Sequence, residues 1–484
     1  MPLQATHSLT VASGDYKDQL LSELGISERF EARPYIDVVP SPAIATIGWG
    51  FNIETVSAYM ALTLNQMGIL GNKTEAETQQ ILDEFIVAAT AATGPTTVAA
   101  TDDLRARLDP LAQQHGLPNF SISESQARTI YNQILSGATI AVTGGSPLVI
   151  AGKEARLDAN LGNSLAHNTL EYVALMSLFY NAESLVGSGS KLATAVITDD
   201  RAEAWYEIRY DSNGGGSSGA GLANRRYAES DKFGLYDGPD QNNAVPNQAE
   251  AREVMRMYTM HHEEIRAYEA LFSPLVGSPP ISHGIDFNLS FSRNRLITDF
   301  AGGRTINGEV LVGKDDGFPG DTLDGTANGD LLFGEKGNDV LRGAAGTDVL
   351  YGGDGIDTLS GGADADLLRG GANYDSLQGG AGDDRLEGGA GFDTYVWSIG
   401  DGNDRIEDSG ADDAIFVNGQ MLVGGVKEAN QPYWENADGT IRYEMSGTNL
   451  IVTQGGTQIW TVENFQSGQF GIDLTDSAME RMAA

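Results

Sequence analysis

Apolar side chains in this 484-residue chain follow two rhythms. Between residues 319 and 396 the rhythm is strict: Leu323, Leu332, Leu341, Leu350, Leu359, Leu368, Leu377, Leu386 and Tyr395 stand nine residues apart, and each leucine is followed two positions later by glycine. This pattern predicts short strands that point one apolar residue inward, joined by glycine turns in the left-handed region. Two such units make one coil, so equivalent positions on one face recur two repeats apart. Elsewhere the spacing is helical. Asp15–Leu24 is amphipathic, with Ser13 and Asp15 as candidate caps and Gly25 as a stop. Helices are also expected over Thr74–Ala92, Ser123–Leu135, Thr169–Phe179 and Gln248–Phe272, the last with Val254, Tyr258, His261, Ile265, Tyr268 and Phe272 on one stripe. Ile36–Phe51 reads as a small hairpin or meander, and Asp211–Gly221 as a flexible loop. Residues 273–318 are Pro/Gly/Ser-rich and then weakly strand-like. Residues 440–473 alternate like antiparallel strands capping a solenoid.

The polar half of the nine-residue unit carries the chemistry. Two residues before each inward apolar position stands an aspartate: Asp321, Asp330, Asp339, Asp348, Asp357, Asp366, Asp375, Asp384 and Asp393. Calcium needs six to eight hard oxygen ligands, which stacked turns can supply from carboxylates and backbone carbonyls. The candidate metal-binding residues are therefore Asp330, Asp339, Asp348, Asp357, Asp366, Asp375, Asp384 and Asp393, with Gly337, Gly346, Gly355 and Gly382 lending carbonyls from the turns. Some turns depart from the pattern. Asn328, Asp364 and Asn373 replace the glycine two before the aspartate, and Glu335 and Ala344 replace the second glycine of the pair. Asn and Asp tolerate the left-handed region, so their turns are expected to survive. Pro319 cannot, so the first turn is expected to lack a good site.

This nonapeptide resembles the RTX (repeats-in-toxin) family over roughly residues 319–396. The resemblance implies a parallel β-roll that binds Ca²⁺, and export by type I secretion machinery through an uncleaved C-terminal signal. The N-terminal MPLQATHSLTVASGDYKDQ lacks the basic and apolar regions of a Sec signal, in keeping with another export route. The longest apolar run, near Phe85 to Ala92, is too short to span a bilayer, so no membrane insertion is expected. The chain carries a formal charge of −37, of which residues 301–484 hold −22. Such a surface disfavours nucleic acid and attracts divalent cations. Without metal the array is a self-repelling polyanion, expected to fold only where calcium is abundant. The chain has no cysteine, which excludes disulfides and thiolate chemistry.

Upstream, Glu28, Tyr35 and Asp37 precede the turn Thr46-Ile47-Gly48-Trp49-Gly50. Later come Ala174–Asn181 (ALMSLFYN) and Gly221–Glu229 (GLANRRYAE). In this order the segments resemble the phage-type lysozymes, glycoside hydrolase family 24, over about residues 14–236. Phe51-Asn52 stands where that family usually has His. Glycoside cleavage needs one carboxyl to protonate the leaving oxygen and another group to deliver water from the opposite face. The resemblance assigns catalysis to Glu28, Asp37 and Thr46. Glu28 would be the general acid, Asp37 with the Thr46 hydroxyl would hold the water, and the stereochemical outcome would be inversion. Arg225 and Arg226 are expected to pair within the fold. His261-His262-Glu263-Glu264 lacks the spacing of a zinc motif.

The resulting expectation is a multidomain chain. Residues 1–245 form an α+β lysozyme-like domain, 246–318 a helix and linker, 319–396 an all-β parallel β-roll, and 397–484 a C-terminal β-rich cap with a secretion signal. The function expected is that of a secreted, extracellular peptidoglycan hydrolase (muramidase). It would act on bacterial cell-wall peptidoglycan at the β-1,4 bond between N-acetylmuramic acid and N-acetylglucosamine. A rival of another class is a calcium-dependent glycan-binding or surface protein whose lysozyme-like domain does not cut. A third keeps the enzyme and moves the substrate to chitin-like polymers.

Overall fold

A computed structural model describes residues 31–37, 44–48, 51–52, 57–92, 97–272 and 285–476, apart from residues 163–164, 166, 168, 182, 212–225, 228, 232, 238–240, 242–243, 316–318, 409–412 and 429–430. The chain divides into two compact units, Met1–Gln241 with Leu271–Ser282 and Asn242–Ala270 with His283–Ala484. The amphipathic segment expected at Asp15–Leu24 lies outside the described residues.

Among the described residues the first unit is mostly helical, with a three-stranded sheet and a separate antiparallel hairpin of Ala138–Ile140 and Leu148–Ile150. Strands β1 (Glu31–Asp37), β2 (Ile44–Gly48) and β3 (Phe51–Asn52) form an antiparallel meander, as the segment Ile36–Phe51 predicts. Helices Glu75–Thr90 and Glu124–Ser136 begin at capping boxes, Thr74 with Glu77 and Ser123 with Gln126, which satisfy the first free N–H groups. The helix Leu170–Asn181 is apolar on nearly every side, and Tyr172–Met176 and Leu178 are fully buried. A helix hydrophobic all round belongs inside a core. Two buried arginines are paired: Arg201 meets the buried Glu171 at 3.2 Å and the exposed Asp237 at 2.8 Å, while Arg209 meets the half-buried Asp231 at 3.2 Å.

In the second unit, twelve strands from β6 (Val310–Val312) to β17 (Ala414–Val417) wind into a parallel two-sheet coil. The sheets are built from alternate strands. One contains β8 (Leu331–Lys336), β10 (Val349–Asp354), β12 (Leu367–Ala372) and β14 (Arg385–Ala390). The other contains β9 (Val340–Ala345), β11 (Thr358–Ala363), β13 (Ser376–Ala381) and β15 (Thr394–Trp397). Neighbours pair in register, Leu350 with Leu332 and Leu368, Leu359 with Leu341 and Leu377. The inward leucines stack into one core continuous with Tyr395, Ile406, Ile415 and Trp460. The antiparallel hairpins of β21 (Ile441–Ser446), β22 (Asn449–Gln454) and β23 (Thr457–Val462) match the expected cap, and β23 joins the coil by pairing in parallel with β16 (Asp404–Ile406).

Residues 285–300 depart from the strand-like reading. They form the helix Ile285–Phe300, with Ile285, Leu289, Ser292 and Leu296 buried at helical spacing. With Gln248–Phe272, this helix covers the outer face of the sheet containing β8 and β10. The Phe300 ring packs edge-on against Phe333 and Tyr351 at 5.1 and 5.6 Å. The N–H of Val312 donates to Thr259 Oγ1 at 3.0 Å, and Arg256 Nε donates to the Gly313 carbonyl at 2.9 Å.

Candidate functional site

The aspartates form a ladder along each edge of the coil. The N–H of Asp330 donates to Oδ1 of Asp348 (2.7 Å), that of Asp339 to Asp357 (2.8 Å), Asp348 to Asp366 (2.8 Å), Asp357 to Asp375 (2.9 Å), Asp366 to Asp384 (2.8 Å) and Asp375 to Asp393 (2.9 Å). One carboxylate oxygen is thereby fixed to the coil before it. The other is not: Oδ2 of Asp339, Asp348, Asp357, Asp366, Asp375, Asp384 and Asp393 is buried without a hydrogen-bond partner. A row of buried anionic oxygens lacking donors is costly unless a cation meets them. Among the candidate groups a hard divalent ion fits this donor set.

The glycine four residues after each aspartate makes the room. A Cβ on Gly343 would lie 2.2 Å from Asp348 Oδ2, and on Gly361 it would lie 2.3 Å from Asp366 Oδ2. Any side chain there would displace the carboxylate. The turn residues Gly337, Gly346, Gly355 and Gly382 have φ of 134, 102, 146 and 159°. Asp364 and Asn373 hold the same position at 78 and 81°, and Glu335 and Ala344 take positive φ in place of glycine at the pair's second position. The irregular turns therefore keep the fold. Asn328 is not among the positive-φ residues.

Burial raises these carboxyls, with neighbouring aspartates adding to the effect and the backbone N–H donors opposing it. Asp348 and Asp375 are pushed up to about 7, Asp357 to about 6 and Asp366 to about 8. The first two aspartates differ. Asp321 Oδ2 accepts the Lys314 N–H at 2.6 Å. Asp330 takes the Thr326 N–H at 2.6 Å on Oδ2 and the Glu309 N–H on Oδ1. Protein donors already serve both, so the partnerless row begins at Asp339.

Sequence reasoning stopped the ladder at Asp393, and the structure extends it. The N–H of Asp384 donates to Asp404 Oδ1 at 3.2 Å, and that of Asp393 to Asp413 Oδ1 at 2.8 Å. These coils are two residues longer, which hides the aspartates from a nine-residue count. The signal was present in the local triplets Asp404-Arg405-Ile406 and Asp413-Ala414-Ile415, each placing an apolar residue two after the aspartate.

Fold and ladder together define a calcium-binding parallel β-roll. Residues 324–359 and 360–395 match the family of the RTX calcium-binding nonapeptide repeat (4 copies), so this region carries RTX repeats and its cofactor is Ca²⁺. No curated protein matches the chain. Among solved structures, the crystal structure of the extracellular lipase LipA from Serratia marcescens is similar, at 17% identity and a TM-score of 0.15. The likeness covers 34% of this chain and 38% of that one.

Of the residues assigned to catalysis, Glu28 lies outside the described residues. Asp37 ends β1, and Thr46 lies in β2 opposite Tyr35. Arg33 ties β1 to the helix Thr97–Gln114 through Asp109 at 2.5 Å, and Asp109 also accepts the Phe120 N–H at 2.9 Å. The two downstream blocks meet: Ser177 donates to Glu229 Oε1 at 2.6 Å, and Arg226 pairs with Glu229 Oε2 at 2.5 Å. Arg226 is thus a buried pairing residue, while Arg225 lies outside the described residues. Lys153, itself buried, donates to the carbonyls of Phe179 and Tyr180 at the end of the buried helix. His261 is half-buried and His262 exposed, with Nδ1 3.2 Å from the Thr259 carbonyl. No helix among the described residues is long and apolar enough to cross a membrane.

Proposed function

We propose that the chain is a secreted peptidoglycan hydrolase of the muramidase type, with the calcium roll serving export and folding. The observation that carries the reading is the register of the first sheet. Tyr35 pairs with Thr46 and Asp37 with Ile44, so Asp37 and Thr46 occupy diagonal positions on adjacent strands at an even offset. Both positions therefore fall on one face of the sheet, as the pairing of a carboxylate and a hydroxyl on one water requires. The contact between Ser177 and Glu229 adds support, since it joins two segments that carry the lysozyme resemblance 52 residues apart. Glu28 would act as the acid on the leaving oxygen and Asp37 as the base on water, with inversion at the anomeric carbon. RTX repeats are typical of proteins exported by type I machinery, which motivates the extracellular assignment.

The test uses purified peptidoglycan and the full chain in calcium. The wild type should clear a peptidoglycan suspension and release muropeptides with a reducing N-acetylmuramic acid end. Glu28→Gln should lower the rate at least about 100-fold, the scale of general acid catalysis. Clearance by Glu28→Gln at the wild-type rate would remove Glu28 from catalysis. Binding without release by the wild type would instead favour the non-cutting glycan binder, and release of chito-oligomers from chitin alone would move the substrate.

A further inference from the structure

Where the nine-residue period ends, the ladder gains a third carboxylate. Asp393, Asp408 and Asp413 each place one oxygen so that all three lie within 4.8 Å of one another. Calcium–oxygen distances of about 2.3–2.6 Å put the ligand atoms of one ion within this range of each other. Among the described residues this is the one group of three or more acidic or imidazole side chains so placed. The earlier rungs have their ladder aspartates without such a third member.

The cluster is built rather than merely acidic. Asp393 is fully buried, and its Oδ2 has no hydrogen-bond partner. Its N–H donates to Asp413 Oδ1 at 2.8 Å, and its own Oδ1 accepts the Asp375 N–H at 2.9 Å, so both carboxylates are fixed on adjacent coils. Gly388 opens the space between them: a Cβ there would lie 2.3 Å from Asp393 Oδ2 and 2.6 Å from the Tyr395 hydroxyl. Tyr395 accepts the Gly388 N–H at 2.8 Å and donates its own proton to Asp408 Oδ2. The Gly389 N–H reaches the same Asp408 oxygen at 3.3 Å. A buried tyrosine therefore orients Asp408, a residue outside the nonapeptide motif, toward the last rung.

We propose that Asp393, Asp408 and Asp413 form a terminal calcium site that binds its ion more tightly than the sites between repeats. Charge count sets this order of affinity. For calcium held by oxygen, affinity rises with the number of carboxylates at a site of comparable rigidity. Here the third carboxylate is positioned before the ion arrives, so little ordering remains to be done on binding.

The experiment is a calorimetric calcium titration of the full chain after exhaustive chelation. The wild type should show one ion bound at least about tenfold more tightly than the others, on the scale by which ligand charge tunes calcium sites. Asp408→Asn, which keeps an oxygen acceptor for Tyr395, should abolish this tight class and leave the weaker class in number and affinity. Asp366→Asn should do the reverse, weakening the inner class and sparing the tight one. A wild-type titration with a single affinity class overturns the proposal, and so does a tight class retained in Asp408→Asn. Should Asp408→Asn fail to fold in saturating calcium, the wild type decides alone. Crystals grown with one equivalent of terbium should give their strongest anomalous peak between Asp393, Asp408 and Asp413. A strongest peak between inner rungs overturns it.

Discussion

Chelating calcium at about pH 7.5 should unfold the roll, and acid should partly restore it without metal, because calcium and protons compete for the same carboxylates. The cause is the charge that the ladder buries. In the metal-free fold, burial lifts Asp348 and Asp375 to about 7, Asp357 to about 6 and Asp366 to about 8, from an ordinary 3.8. The fold then retains protons that the unfolded chain has released, so stability falls as pH rises. This contribution is complete below about pH 4 and is lost progressively up to about pH 8. At about 1.4 kcal/mol per unit, each of the four groups costs the fold about 3–5 kcal/mol at pH 7.5. Even with generous relaxation the total is on the order of 10 kcal/mol, as large as the stability of a whole domain. A bound cation removes that cost by neutralising the carboxylates in place of protons. Peptide-level hydrogen exchange on the full chain, corrected for intrinsic rates, reads the roll separately from the first unit. Residues 331–397 should be protected in calcium, exposed in excess chelator at about pH 7.5, and partly protected again in chelator at about pH 5, where the four groups together cost less than half as much. Protection that survives chelation at the higher pH would refute the reasoning. So would protection that fails to rise on acidification.

Two substitutions probe the packing of the roll, and a third probes a buried pair in the first unit. Gly361→Ala places a methyl 2.3 Å from Asp366 Oδ2 and 2.6 Å from the Gly379 carbonyl. It should destabilise the calcium-loaded roll by about 1–3 kcal/mol in denaturant melts, whereas Gly71→Ala, whose nearest neighbour is 3.8 Å away, should not; equal effects would deny the glycine its role. Leu368→Ala truncates a fully buried member of the leucine stack and should cost about 2–5 kcal/mol in saturating calcium; a loss below about 1 kcal/mol would mean that metal, not the core, holds the coil. Glu229→Gln leaves the Arg226 guanidinium buried beside a neutral amide. Thermal melting of the first unit should then report a loss of about 3–5 kcal/mol, and an unchanged midpoint would show that the pair is dispensable.

The legibility of this chain followed the length over which each pattern is enforced. The roll was readable because one coil is a fixed number of residues: a slip of one position would turn Leu350 or Leu368 out of the core and Asp366 off its rung. Asp404 and Asp413 escaped because their coils lengthen by two residues, a change that breaks the count while preserving the stacking. The helix Ile285–Phe300 was misread for a different reason. Its buried stripe is only four residues, one of them Ser292, and the run around it is rich in Phe, which favours strands, and Ser, a weak helix former. Yet the sequence did record that something covers one sheet. The residue after the aspartate is apolar and buried at Leu331, Val349 and Leu367 on the covered sheet, though not at Arg385, and polar at Thr322, Thr358, Ser376 and Thr394 on the facing sheet, though not at Val340. An eighteen-residue beat was thus nested within the nine-residue one. Reading it would have required the two sheets to be distinguished first, because covering by a helix is a property of a face and not of a repeat. Asp408 was the least readable of the functional candidates. It belongs to no repeat, and its place beside Asp393 depends on a tyrosine hydroxyl and a missing Cβ at Gly388, contacts that exist only once the coil has closed.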